Sequence, residues 1–111
     1  MKLEAVDPLN LSSISVATVG KVLKNNYLMI KIDAFPTQEG DMFCYHRSSS
    51  SIFPAGFCDK NALDLMPPCD YKKSEKFDWF SYLEEKNAEF APLELFYDVT
   101  ILFIVFSFLI S

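Results

Sequence analysis

The sequence predicts a mainly-β fold, a small barrel followed by a short helical arm. Three observations carry that prediction. Two strand-like runs, Ile14–Leu23 and Tyr27–Ile32, are separated only by Lys24-Asn25-Asn26, so they form an antiparallel hairpin. The stretch Asp41–Cys58, D-M-F-C-Y-H-R-S-S-S-S-I-F-P-A-G-F-C, reads as strand, polar loop, Pro-Gly corner and aromatic re-entry, with the loop bounding a pocket at one end of the barrel. Beyond Pro67-Pro68 the pattern turns helical in F-D-W-F-S-Y-L-E-E-K-N. At 111 residues the chain holds one small domain, and with 50% hydrophobic residues it can fill a core.

Each element has a local cause. Met1–Asn10 opens with an alternation that places Leu3 and Ala5 inward and Lys2 and Glu4 outward, and it ends at the corner Asp7-Pro8-Leu9-Asn10. Ile14–Leu23 is β-branched, and Asn25-Asn26 tolerate the positive φ that a tight turn needs. Tyr27–Ile32 alternates cleanly, with Leu28, Ile30 and Ile32 on one face. Ala34–Gly40 is a loop. Met42–Tyr45 is apolar enough for a buried strand; its Cys44, and Cys58 after it, are expected reduced and mostly buried. Pro54 fixes φ, and Gly56 permits a turn that a side chain would hinder. Asp59–Met66 is a compact segment that closes at Pro67-Pro68. Cys69–Lys76 is a charged linker. Asp78 is placed to cap the following helix, with Phe77 and Tyr82 as a hydrophobic staple and Trp79, Tyr82, Leu83 and Lys86 on one face.

Charge and cysteine usage exclude several functions. The net charge of −5 leaves no basic stripe to neutralise phosphates, so no direct nucleic-acid partner is expected. Three cysteines without C-x-x-C spacing, and no secretory signal, point to a reducing compartment. Cys44-x-His46 supplies at most two of the four ligands a structural zinc needs, so no metal is expected. Neither a Ser-His-Asp set nor a phosphate-binding glycine loop is present, which argues against an enzyme and for no cofactor.

Five phrases, M-K-L-E-A-V-D-P-L-N, V-A-T-V, F-C-Y-H, I-F-P-A-G-F-C and L-D-L-M-P-P, run in order across Met1 to Pro68. Together they resemble one malignant-brain-tumour (MBT) repeat of the lethal(3)malignant-brain-tumour-like proteins. W-F-S-Y-L-E-E-K with A-P-L-E-L-F at Ala91–Phe96 resembles the arm that opens the next repeat. The resemblance implies a five-stranded, chromo-like barrel with a helical arm, and arms that pack on neighbouring barrels. It also implies a nuclear chromatin protein associated with repression, whose partners are histone tails, other chromatin proteins and neighbouring MBT repeats. On this reading residues 1–68 are a repeat barrel without its own N-terminal arm, and 69–97 are linker and arm of a following repeat. Residues 98–111 are then an apolar tail foreign to the family, and the chain is a truncated product.

Some repeats of the family bind mono- or dimethylated lysine. That chemistry needs aromatic faces for cation–π attraction and a carboxylate to accept the remaining N–H. The resemblance assigns the carboxylate to Asp7, supported by Asn10. The aromatic walls fall in I-D-A-F-P-T-Q-E-G-D, where Ile32 and Gly40 stand at two aromatic positions and Phe35 at the third. Phe43 and Phe57 are possible substitutes, although both fit the core. The candidate pocket is therefore Asp7, Asn10, Phe35 and Phe43. At about 0.5–1 kcal/mol per exposed cation–π contact, and about 2 when desolvated, losing two walls removes most of the affinity. The expectation is a degenerate cage in which Asp7 and Asn10 staple the Asp-Pro corner. A weak genuine reader of mono- or dimethyl-lysine on histones is the alternative, and a membrane-tethered truncated product a second.

The tail from Val99 to Ser111, V-T-I-L-F-I-V-F-S-F-L-I-S, is almost wholly apolar. A spanning helix needs about 20 such residues, so a membrane span is not expected. The run is uncharged and lacks proline, which makes self-association the expectation.

Overall fold

The computed structural model describes residues 1–34, 42–69, 71 and 76–96. Five antiparallel strands curl into a half-barrel in the order β4-β3-β2-β1-β5. They are β1 (Lys2–Asp7), β2 (Asn10–Val22), β3 (Tyr27–Ile32), β4 (Met42–His46) and β5 (Ile52–Phe53). After α1 (Phe57–Lys60), the two-residue β6 (Leu65–Met66) adds parallel to the first half of β2. The arm helix α2 (Trp79–Lys86) and a 3-10 turn at Leu93–Leu95 follow.

β2 begins at Asn10, four residues before the sequence suggested, because Asp7 of β1 pairs with Asn10; the register then shifts past residues 11–13 and resumes with Val6 opposite Ile14. The same strand serves β1 along its first half and β3 along its second, and the pairing skips one residue between Val19 and Lys21. The skipped residue is Gly20. A bulge there bends the strand and starts the curl of the sheet.

The β2–β3 turn forms as the sequence implies, with Asn25 at φ 61 and Asn26 at φ 67. The alternation of β3 holds: Leu28, Ile30 and Ile32 are fully buried. Each such side chain contributes about 1.5–3 kcal/mol by leaving water. They meet Leu3 and Ala5 of β1, Ala17 and Val19 of β2, and Ile52 of β5. Ala91, Leu95 and Phe96 from beyond the arm join the same cluster.

Two expectations fail here. Lys2 and Glu4 are not outward residues; they are 9% and 0% exposed. The second face of β1, which alternation assigns to solvent, is covered by the arm. Cys44 is not buried either. The face of β4 that carries Phe43 and Tyr45 packs against the core, and Cys44 lies exposed with Met42 on the other. Cys58 is buried as expected. Phe35, Gly40 and the 98–111 tail lie outside the described residues.

Candidate functional site

The corner at the end of β1 is built by its own side chains. Asp7 is buried, and its Oδ1 accepts from the Leu9 amide at 2.8 Å. Asn10 is exposed, and its Oδ1 accepts from the Ser12 hydroxyl at 2.7 Å and from the Ser12 amide at 3.4 Å. These are local side-chain to backbone turns of the kind Asp and Asn form at corners. Asp7 and Asn10 face each other as a strand pair.

β4 brings aromatic surface toward this corner. Phe43 pairs with Ile30 and Tyr45 with Leu28, and both rings are half-buried against the core. The Tyr45 hydroxyl donates to the Val6 carbonyl at 2.9 Å, one residue from Asp7. Burial first, and then the Asp7 charge, push its phenol up to about 12. The structure thus joins Tyr45 to the Asp7 corner, a residue that sequence reading passed over. The signal was available: in F-C-Y-H a period of two puts Tyr45 on the same face as Phe43. Ile32, at a cage position, is fully buried in the core.

The opposite side of the site is the interface between β1 and the arm. α2 starts as its sequence dictates. Asp78 accepts from the Phe80 amide, Phe77 packs 5.5 Å from the Tyr82 ring as the staple, and Asn87 closes the helix in the left-handed region. Tyr82 and Leu83 are buried, as their spacing suggested, and Trp79 is half-buried beside them.

Two buried carboxylates hold this face. Glu4 accepts from the Gly56 amide at 2.6 Å, the Cys58 amide at 2.9 Å and the Trp79 indole N–H at 2.9 Å. It joins β1, the Pro54-Gly56 corner and the arm in one residue. Gly56 sits at φ 96, where a side chain is strained, and this conformation presents its amide to Glu4. Burial, and then Glu4, push the Cys58 thiol up to about 12. Asp33 accepts from the Lys2 ammonium at 2.8 Å, the Thr18 hydroxyl at 2.6 Å and the Tyr82 hydroxyl at 2.8 Å. The Lys2 ammonium also lies 5.1 Å from the Tyr82 ring centre. Asp33 is paired with Lys2, and Glu4 is held by three neutral N–H donors, so each buried charge is hydrogen-bonded, as burying it requires.

The backbone beyond the arm is held as well. Lys2 donates its amide to Glu89 and accepts from the Ala91 amide, both at 2.8 Å. Arg47 forks onto the Leu95 carbonyl at 2.9 Å and the Glu94 carbonyl at 2.5 Å. Neither Arg47 nor Asp33 stood out in the sequence, because each acts across a long separation.

Among the described residues, no group of three or more His, Cys, Asp or Glu could hold a metal ion. None of their helices is long and apolar enough to cross a membrane.

Comparison with known proteins agrees with this architecture. The family model described as "mbt repeat" matches residues 1–72. The human MBT domain-containing protein 1 is 55% identical over 97 residues, which are 86% of this chain and 15% of that protein. The Polycomb protein Sfmbt of Drosophila melanogaster is 52% identical over 89% of this chain and 8% of its own length. Scm-like with four MBT domains protein 1 of Rattus norvegicus is 40% identical over 86% of this chain and 11% of its own. The chain therefore spans a small part of the curated relatives it matches. A crystal structure of the four MBT repeats of Drosophila melanogaster Sfmbt, in complex with the peptide RHR(me)KVLR, superposes with a TM-score of 0.81 at 52% identity. That match covers 88% of this chain and 23% of the other.

Proposed function

The chain belongs to the MBT-repeat family, and from that premise we propose that it is a chromatin-associated, non-enzymatic binding module acting in transcriptional repression. Its role is scaffolding in the nucleus: contacts with chromatin proteins and with other MBT repeats, through a barrel whose methyl-lysine cage is degenerate. The observation that carries this reading is Ile32. It stands at a cage position, yet it is fully buried in the core and presents no ring to a ligand. Asp7 adds support, since one of its two oxygens already accepts from the Leu9 amide. Phe43 supports it too, as a core-packed ring.

The test is a calorimetric titration of a dimethyl-lysine histone peptide into the chain. Binding weaker than about 100 μM, roughly −5.5 kcal/mol, is expected. A tighter constant that Asp7→Ala abolishes would refute the degenerate-cage reading.

A second reading, a weak reader of mono- or dimethyl-lysine, is favoured by one observation. Tyr45 is close enough to Asp7 to feel its charge, so a carboxylate and an aromatic ring do share the corner. The related Sfmbt repeats were solved with a methylated-lysine peptide. In the same titration, Tyr45→Phe would leave such binding intact and Tyr45→Ala would remove it.

A further inference from the structure

A groove of about 640 Å³ runs between the start of the arm and the segment from Ala55 to Leu65. Glu4 lies at its floor, and among the described residues Lys76 is the one cation that lines it. We propose that this groove binds a basic peptide segment, seating an arginine or lysine side chain against Phe80 and Phe90 with Asp59 and Asp64 as counter-charges.

The aromatic wall is the first argument. Phe80 is 73% exposed and Phe90 38%. Phe90 meets Phe80 edge-on at 5.9 Å and Trp79 at 5.7 Å, so the three rings form one continuous wall. Packing inside the domain does not account for Phe80. Tyr82, two residues on, is buried against the barrel, whereas Phe80 stays exposed.

Charge is the second argument. Among the described residues, Asp59, Asp64 and Asp78 join Glu4 around the groove, against Lys76. Glu4 is satisfied internally, and Asp78 caps α2, with a pKa held below the usual aspartate value by the Ser81 hydroxyl. Asp59 and Asp64 are exposed, and among the described residues neither forms an ion pair. A negative rim beside aromatic rings fits a guanidinium or ammonium group, which takes both cation–π attraction and ion pairing. The same rim repels phosphates, which disfavours nucleic acid and anionic lipid. The described carboxylates do not converge as metal ligands do.

The inference rests on the binding-module reading only in taking a peptide as the ligand. It does not use the Asp7 corner.

Trp79 is the only tryptophan of the chain and lines the groove, so its emission reports occupancy directly. The full chain is titrated with the aromatic-free peptide GRGKGRG at low salt, and with GQGQGQG in parallel. A saturable emission change with the basic peptide alone is expected. Phe80→Ala should weaken it about two- to fivefold, the value of an exposed cation–π contact. Replacing both Asp59→Asn and Asp64→Asn should weaken it about fivefold and flatten its salt dependence. Both sites are exposed, so the fold should survive, as circular dichroism would verify. The proposal is overturned by no saturable change, by an equal response to GQGQGQG, or by indifference to both groove variants. If Asp7→Ala abolishes binding while the groove variants do not, the peptide sits at the corner. The groove inference then falls, and the binding-module reading stands.

Discussion

Replacing Glu4 by glutamine keeps the side-chain shape but removes the charge and turns one acceptor oxygen into an NH2 donor. Glu4 is fully buried and takes three donors: the Gly56 amide and the Trp79 indole on one oxygen, the Cys58 amide on the other. A glutamine must point its NH2 at one of those groups of donors. If it keeps its oxygen toward Gly56 and Trp79, the Cys58 amide faces a donor. The flipped rotamer orphans two donors instead of one. An unsatisfied buried donor costs about 1–3 kcal/mol, and losing a charged acceptor weakens the bonds that remain. We take about 3 kcal/mol for the sum. For a domain of this size each kcal/mol moves Tm by about 4–8 °C, so Glu4→Gln should lower it by about 12–24 °C. Thermal unfolding followed by circular dichroism measures this. Trp79→Phe is the comparison, since it removes one donor and leaves Glu4 its other two; about 1 kcal/mol of hydrogen bonding is lost, plus some packing. A drop below about 4 °C for Glu4→Gln, or one smaller than that of Trp79→Phe, would refute the claim that Glu4 ties strand, corner and arm together.

The thiols should separate by location. In the folded protein at pH 8, Cys44 and Cys69 are modified rapidly, whereas Cys58 waits for denaturant. Cys58 is buried and its thiol is pushed up to about 12, so only about one molecule in ten thousand carries the thiolate; fast labelling of Cys58 would count against its burial. The arm helix should be acid-sensitive. The folded pKa of Asp78 lies below its unfolded value, so its contribution is present above about pH 4 and is lost as pH falls through the lower folded value. Asp78→Ala should reduce that acid dependence, and an unchanged pH profile of arm stability would contradict the capping role. The apolar run of residues 98–111 should drive association. A version ending at Phe96 is expected monomeric by size-exclusion chromatography and the full chain aggregated, and a monomeric full chain would contradict this.

Much of the fold is legible in the sequence because its local signals are strong. The clean alternation of Tyr27–Ile32, the Asn25-Asn26 turn, the left-handed Gly56 and the Asp78 cap with its Phe77–Tyr82 staple each follow from a rule that acts within a few residues. What escapes is set at long range. Lys2 and Glu4 read as solvent-facing because alternation alone does not say which second layer covers a strand. Their partners, Asp33 for Lys2 and Trp79 for Glu4, stand 31 and 75 residues away. Cys44 reads as buried because an apolar run does not reveal which face of its strand is left uncovered. Half of the candidate site is legible in the same way. The turns at Asp7 and Asn10 are local and follow from residue type, whereas the approach of Tyr45 to Asp7 needs the whole sheet between them. Phe35 lies outside the described residues, so its part in the pocket stays an expectation of the sequence.

The central claim is that the Asp7 corner is a structural staple and not a working methyl-lysine site. The Leu9 amide reports on it directly, because that N–H donates to the Asp7 carboxylate. A 15N-edited NMR titration of the version ending at Phe96 with a dimethyl-lysine peptide follows this one resonance. The account predicts no saturable shift of the Leu9 amide below about 1 mM peptide. A saturable shift with a dissociation constant under about 100 μM, lost in Asp7→Ala, would contradict it.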